Sequence, residues 1–287
     1  MPGAEGDVAD DSVARPRRGV ERLLAGNAWL VFAFLYLPIL VLVVLSFNDN
    51  DRIGIWSGFS FRWYGEMFGN PRVMGALWNS VVVALVSTAI ATVLGTMAAL
   101  SLERFRYRGQ RVFDGLLYLP VIIPDITMAV MLLLFFVQAF DLVLLATGVS
   151  LSRGLGTITL AHVAFNISFV ALVVRARLAG LDDSLEEAAA DLYASRWQAF
   201  RRVTLPLIAP GIAGGALLAL TLSLDDVVIT EFVSGAGSTT LPVYVFGALR
   251  RGVTPLINAV SVLMLAGSVL LVVTALAVSR RRESSER

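Results

Sequence analysis

Lysine and cysteine are absent from the 287 residues, and histidine occurs once. Without cysteine there is no disulfide framework, no thiolate chemistry and no cysteine-built metal site, and the redox compartment cannot be read. Without lysine there is no P-loop, because G-x4-G-K-[ST] needs that ammonium on the phosphates. Schiff-base catalysis is excluded for the same reason. A single histidine makes a histidine-built metal site implausible, and neither a metal site nor a catalytic residue is expected in this chain. If ATP drives this protein, another polypeptide binds it. Charge is also scarce, at 16% of residues with a net charge of +1, and nucleic acid is not among the expected partners.

What is abundant is apolar surface. Hydrophobic residues make up 57% of the chain and the mean hydropathy is +0.76, which places it in the membrane class. Six apolar runs follow one another, at about Ala28–Phe47, Leu77–Leu102, Phe113–Phe140, Gly156–Val174, Leu205–Leu224 and Ile257–Val278. Backbone groups left unpaired in lipid are costly, so runs of this length span as helices, and a barrel would show short alternating strands instead. The fold class is therefore all-α with six transmembrane helices. Residues 1–27 read as a disordered tail. The first run is long enough to span, and no A-x-A site follows it, so it reads as an uncleaved helix rather than a signal peptide. Seventeen of the 23 arginines fall in the tail, the 103–111 loop, the 175–204 loop and the C-terminal end. By the positive-inside rule those segments and both termini are cytoplasmic. The domain reading is a cytoplasmic tail at 1–27, a membrane domain at 28–280 and a short cytoplasmic tail at 281–287.

One long polar passage interrupts the apolar pattern, LDDSLEEAAADLYASRWQAFRRVTLP at 181–206. Ser184 with Glu187 and Ser195 with Gln198 are both S-x-x-E/Q capping-box patterns, so two short helices are expected to meet at a bend. Tyr193 falls where the first helix should end, a place that favours a left-handed residue and usually glycine.

Acidic groups at membrane depth are the other informative feature, since an ionised side chain at a helix centre costs roughly 2.5 to 3.5 kcal/mol on insertion scales. Asp125 lies about midway along the third run, behind Pro120 and Pro124, which should kink that helix. Its carboxylate reads equally as a pathway group or as a buried, satisfied acid. Asp225, Asp226 and Glu231 sit at or beyond the outer end of the fifth run. The apolar Val227, Val228, Ile229 and Phe232 suggest that the helix continues there and holds the carboxylates in a partly dry vestibule able to concentrate cations. His162, with Asn166 one turn later, could hydrogen-bond into the same cavity, but a lone helical histidine reads first as a satisfied packing residue. Trp78 and Asn79 read as an interface anchor and a cap. Gly211 and Gly215 read as close helix packing. The aromatics of the 48–76 loop suit a headgroup boundary, and the Gly- and Pro-punctuated 235–255 segment suits a loop or a contact with an extracytoplasmic partner.

The run Glu187, Ala188, Ala189, then Tyr193, Val203, Leu205 and Pro206 resembles the EAA signature, EAA-x3-G-x9-I-x-LP, of ABC-importer permease subunits, with Tyr193 replacing glycine. PDITMA at 124–129, SLDDVVITEFVSGAG at 223–237, LPVYVF at 241–246 and RRGVTPLINAVS at 250–261 are similar to the spermidine/putrescine type, in particular its second permease subunit. The resemblance implies a type I, MetI-like permease fold with 181–206 as the cytoplasmic coupling segment, in the bacterial inner membrane. It implies a homologous permease partner, two copies of a cytoplasmic ABC ATPase that bind ATP and Mg, and an extracytoplasmic solute-binding protein. No cofactor is implied in this chain. A polyamine carries spaced ammonium groups on apolar stems, so Asp125, Asp225, Asp226 and Glu231, with Phe232 and Tyr244 for cation-π contact, are the expected substrate pathway. The alternatives are an ABC permease for another small solute, such as another organic cation, ferric ion or an oxyanion, and a secondary transporter with Asp125 as a proton relay.

Overall fold

In the computed structural model, six helical stretches among the described residues are long and apolar enough to cross a membrane. The structure describes residues 18–285 apart from 53, 183 and 253, with side chains from 21 to 274. The first 17 residues of the expected tail therefore lie outside the described residues. From Arg18 onward the chain is already helical, because α1 (Arg18–Leu45) begins well before Ala28, with Glu21 complementing the dipole of its first turn. A loop and the short α2 (Arg62–Gly69) lead to α3 (Pro71–Arg104). Asn70 caps α3, accepting from the backbone of Arg72 at 3.0 Å, and Pro71 supplies the preset first residue. At 34 residues, about 50 Å, α3 is longer than a bilayer core requires.

The third apolar run does not form one kinked helix. It divides into α4 (Gln110–Ile122) and α5 (Asp125–Thr147). Pro124 lacks an N–H and forces the residue before it out of the helical region, and Ile123 accordingly sits at ψ 131°. Asp125 is thus the first residue of α5 rather than the middle of a span, which places its carboxylate at the positive end of a helix dipole.

After α6 (Leu155–Leu178) come α7 (Ser184–Asp191) and α8 (Arg196–Ala199). A π-helical turn at Phe200–Thr204 then carries the chain into α9 (Leu205–Asp225). Pro206 would clash with the carbonyl four residues back in a regular α-helix, and the widened turn falls just ahead of it. Of the two expected caps, Ser195 with Gln198 forms as a reciprocal capping box. The other is replaced. Asp182 accepts from the Ser184 backbone at 2.9 Å and starts α7, and hydrogen bonds from Ser184 hold the Asp182 carboxyl below its ordinary range. Tyr193 adopts the left-handed conformation expected of its position, with φ 60°. Its N–H bonds to the Ala190 carbonyl at 2.9 Å and that of Ala194 to Ala189 at 3.0 Å, the paired bonds of a Schellman ending. The side chain is 97% exposed, so these backbone bonds, not side-chain packing, offset the roughly 1–2 kcal/mol cost of a left-handed tyrosine.

The chain ends with α10 (Val228–Val233), α11 (Leu241–Arg251) and α12 (Pro255–Ser285). The residues expected to form a C-terminal tail continue α12 as far as Ser285.

The core is the packing of α3, α6 and α9 around Val170. A Cβ on Gly95 of α3 would lie 2.8 Å from the Ile167 carbonyl and from Val170, and one on Gly215 of α9 would lie 3.3 Å from Val170. Gly211 approaches Arg177 in the same way, so the small-residue step at 211–215 is a packing surface, as expected. Apolar clusters continue this core in both directions, one around Ala99, Val174 and Ile208 and the other around Ile158, Phe136 and Val233. Charge locks the arginine-rich end. Arg175 of α6 bonds Glu103 of α3 at 2.7 Å and also pairs with Asp114 of α4. Arg104 of α3 reaches Glu186 of α7 at 2.9 Å, and Glu186 accepts a second bond from Thr204 in the π turn.

Because the atom nearest Gly95 is a backbone oxygen, a larger residue there forces the helices apart. Gly95→Val should destabilise the bundle by about 1–3 kcal/mol, read as a lower melting temperature of the detergent-solubilised protein. An unchanged melting temperature would contradict the packing described.

Candidate substrate pathway and coupling surface

Three of the carboxylates singled out in the sequence converge. Asp125 opens α5, Asp225 closes α9, and Asp226 occupies the break between α9 and α10, with ψ 129°. Together with Phe165 and Phe169 of α6, Pro120 of α4 and Leu222 of α9 they line one cavity of about 330 Å³. That volume is at the small end of the range for ligand pockets and suits a slender molecule. The fifth apolar run therefore does not continue helically through Val227 and Val228 as expected. The chain turns at Asp226, and this turn aims two adjacent carboxylates at the cavity.

Asp125 and Asp225 are exposed on its open side, whereas the Asp226 side chain keeps only 10% of its surface. Asp226 is well supplied with donors. Its Oδ2 accepts from the Thr230 backbone at 2.8 Å and from the Thr230 hydroxyl at 2.7 Å, and its Oδ1 accepts from Ile229 at 3.3 Å. Behind it lies His162, 1% exposed. The imidazole Nε2 is 3.0 Å from the Thr230 hydroxyl and 3.4 Å from Asp226 Oδ2, and Nδ1 is 2.5 Å from the Ser223 hydroxyl. Ser223 in turn meets Ser87 of α3 at 3.0 Å. His162 is thus a satisfied buried residue, as the sequence indicated, but its partners belong to the cavity wall. Asn166, one turn along, does not reach them. It is fully buried, and neither end of its amide has a partner among the described residues.

Glu231, Phe232 and Tyr244 are not brought to this cavity. Glu231 is exposed on α10. Phe232 packs toward Phe136 and Val233, and its carbonyl accepts from Arg153 at 2.9 Å. Tyr244 packs with Met67 and Val73, linking α11 to α2 and α3. The aromatic groups at the carboxylates are instead Phe165 and Phe169, which the sequence reading passed over. Their spacing from His162, three and seven residues, places all three on one helical face. The loop after α10 is held by side chains from distant helices. Asn79 donates to the carbonyls of Gly237 and Thr239 at 3.1 and 3.0 Å, so it ties the loop rather than capping a helix. Gly235 has no room for a side chain, since a Cβ would sit 1.9 Å from the Arg153 carbonyl.

At the arginine-rich end the 181–206 segment divides into an inward and an outward part. Ala189, Val203 and Leu205 are half-buried, and Leu205 packs against the α3–α6–α9 core. Glu187, Ala188 and Pro206 are exposed. Beside them Leu192, Tyr193 and Trp197 leave large apolar surfaces uncovered, 81% of Leu192 among them. The inward carboxylate is Glu186, bonded to Arg104 and Thr204, and Glu187 is left to face outward. Large apolar side chains left this exposed among charged ones are unusual on a surface that meets only water.

Residues 91–283 match the family described as the binding-protein-dependent transport system inner membrane component. The putrescine transport system permease protein PotI of Escherichia coli (strain K12) is 46% identical over 237 residues, covering 82% of this chain and 83% of that protein. The spermidine/putrescine transport system permease protein PotC of Haemophilus influenzae is 39% identical over 265 residues, covering 91% and 99%. Among solved structures, a bacterial ABC transporter involved in the import of the acidic polysaccharide alginate superposes with a TM-score of 0.75 at 18% identity, covering 91% of this chain and 95% of that one, a likeness of fold. With its six apolar helices and the type I ABC-importer permease fold, the chain belongs to the family of binding-protein-dependent transport system inner-membrane components.

Proposed function

We propose that the chain is a permease subunit of an ATP-driven ABC importer and passes polyamines across the bacterial inner membrane. The observation that carries this reading is the cavity that gathers Asp125, Asp225 and Asp226 beside Phe165 and Phe169. Carboxylates compensate the ammonium groups of a polyamine, and aromatic faces accept both its cationic ends and its methylene stem. The names of the relatives, which are putrescine and spermidine/putrescine permeases, support the same substrate class. Three carboxylates on one cavity disfavour an oxyanion by like-charge repulsion.

In this reading both termini and the 181–206 segment are cytoplasmic, consistent with the arginine distribution. A homologous permease completes the pathway and an extracytoplasmic binding protein delivers the substrate. Two copies of an ATPase bind ATP and Mg, this chain holding no cofactor. The ATPase docks on Glu187, Ala188 and Tyr193, whose surfaces are exposed, while Val203, Leu205 and Pro206 join that surface to the bundle. Force then has a short route. Glu186 links the docked segment to Arg104 of α3 and to Thr204 at the root of α9. The 21 residues of α9, with Pro210 in its second turn, form a helix about 30 Å long whose far end is Asp225. Tilting its root moves the carboxylates, as alternating access requires.

Proteoliposomes holding the full complex should take up putrescine only when ATP and the binding protein are both supplied. Asp226→Asn should lower that uptake roughly tenfold, since it removes a charged partner of the ammonium group. Uptake without ATP, or unchanged kinetics in Asp226→Asn, would contradict the assignment. Glu187→Lys should insert normally but weaken stimulation of the partner ATPase by the loaded binding protein, and full stimulation in that variant would remove Glu187 from the docking surface.

A further inference from the structure

The hydrogen bonds behind the cavity have a direction. Asp226 Oδ2, a carboxylate oxygen, can only accept, so the Thr230 hydroxyl 2.7 Å away donates to it. That hydroxyl has spent its proton, and its remaining contact, His162 Nε2 at 3.0 Å, must donate to it. Nε2 therefore carries hydrogen. On the opposite edge of the ring, Nδ1 faces the Ser223 hydroxyl at 2.5 Å, and Ser223 faces Ser87 at 3.0 Å. With Nδ1 as the acceptor, Ser223 donates to His162, His162 to Thr230, and Thr230 to Asp226, and Ser223 accepts from Ser87, whose hydroxyl also lies 3.4 Å from the Ala84 carbonyl. Each of the three links from Ser223 to Asp226 then has one consistent direction. The series joins α3, α9, α6 and α10 and ends on the carboxylate that faces the cavity.

Both nitrogens of a buried imidazole need partners, and here the two partners come from opposite sides of a helix break. His162 bridges the last turn of α9 to the first turn of α10, across the break at Asp226, and its ring lies 5.3 Å from that of Phe165, which lines the same cavity. From this geometry we infer that His162 is a positioning residue for substrate translocation. Through Thr230 it fixes the rotamer of Asp226 and leaves Oδ1, held only by the 3.3 Å contact from Ile229, as the oxygen presented to a passing ammonium group. The inference rests on the reading of the cavity as the cation pathway. Breaking the series removes the hydroxyl donor from Oδ2 and leaves Asp226 held by the backbone of Ile229 and Thr230 alone, so that its carboxylate is less tightly oriented and ATP is still hydrolysed but less substrate moves with each cycle.

The test uses the full complex in proteoliposomes with saturating putrescine-loaded binding protein, and the readout is putrescine moved per ATP hydrolysed. A merely structural defect reduces the amount of working complex and lowers transport and hydrolysis together, leaving that ratio unchanged. His162→Phe keeps the ring volume and removes both polar edges. Thr230→Val keeps the shape and removes the link to Asp226. Each should lower the ratio about tenfold, as expected for losing a hydrogen bond to a charged group. The double variant should be no worse than either single one, because both break one series. His162→Gln, which retains a donor near Nε2, should recover most of the ratio. A ratio unchanged in both His162→Phe and Thr230→Val while Asp226→Asn lowers it would overturn the inference and leave the cavity reading intact. A ratio unchanged in Asp226→Asn as well would overturn the cavity reading and the inference with it. Fully additive losses in the double variant would also overturn the inference, by showing two independent effects.

Discussion

A buried carboxylate is tolerated only where the protein supplies the hydrogen bonds that water would, and the end of the bundle that holds Asp226 is arranged around that constraint. Donors near a carboxylate are most readily freed where a helix stops. The chain stops helices at the required places, at Ile123 and Pro124 before Asp125 and at Asp226 before α10. Each break uncovers backbone N–H groups, and at Asp226 those of Ile229 and Thr230 are taken up by the carboxylate itself. The breaks are local because α3, α6 and α9 are locked by contacts that leave no space for a Cβ at Gly95. A rigid three-helix core thus supports two interrupted elements that carry the charge.

The same division of labour appears at the other end. Arg175 and Arg104 knit α3, α4, α6 and α7 together through Glu103, Asp114 and Glu186, so the polar segment does not hang from the bundle as a free loop. What it presents outward is the uncovered apolar surface of Leu192, Tyr193 and Trp197. The neighbouring carboxylates Glu186 and Glu187 have opposite tasks, one tied to the bundle and one open to solvent. α9 connects the two ends of the molecule without interruption from the π turn to Asp225.

Much of this was legible in the chain itself, and the failures have physical causes. The six spans, the capping box at Ser195 and the left-handed position of Tyr193 all follow from local rules, hydropathy and helix-terminus chemistry, that tertiary contacts did not override. Helix continuity is less legible. In the third run, Pro120 and Pro124 point to a kink, but the restriction a proline places on its predecessor ends a helix when nothing repairs the lost bond. In the fifth, apolar residues after Asp226 argued for continuation, but hydropathy reports burial and not backbone conformation. The partners of the carboxylates were harder still. Phe165, Phe169 and His162 are separated from Asp226 by some sixty residues, and only the packing of α6 on α9 brings them together. Phe232 and Tyr244 are near the right stretch of sequence but point into other clusters, which no spacing rule distinguishes.

The central claim is that the carboxylate-lined cavity is the part of the pathway that alternates between the two sides of the membrane. Because the chain contains no cysteine, Leu222→Cys places a single thiol in the cavity wall without altering its charge. In a complex whose other subunits are cysteine-free, labelling by a cationic, membrane-impermeant thiol reagent can be followed from each side. The account predicts that the reactive side switches between the nucleotide-free complex and one trapped with a non-hydrolysable ATP analogue, and that putrescine slows the reaction. Labelling at the same rate from the same side in both states, indifferent to putrescine, would contradict it.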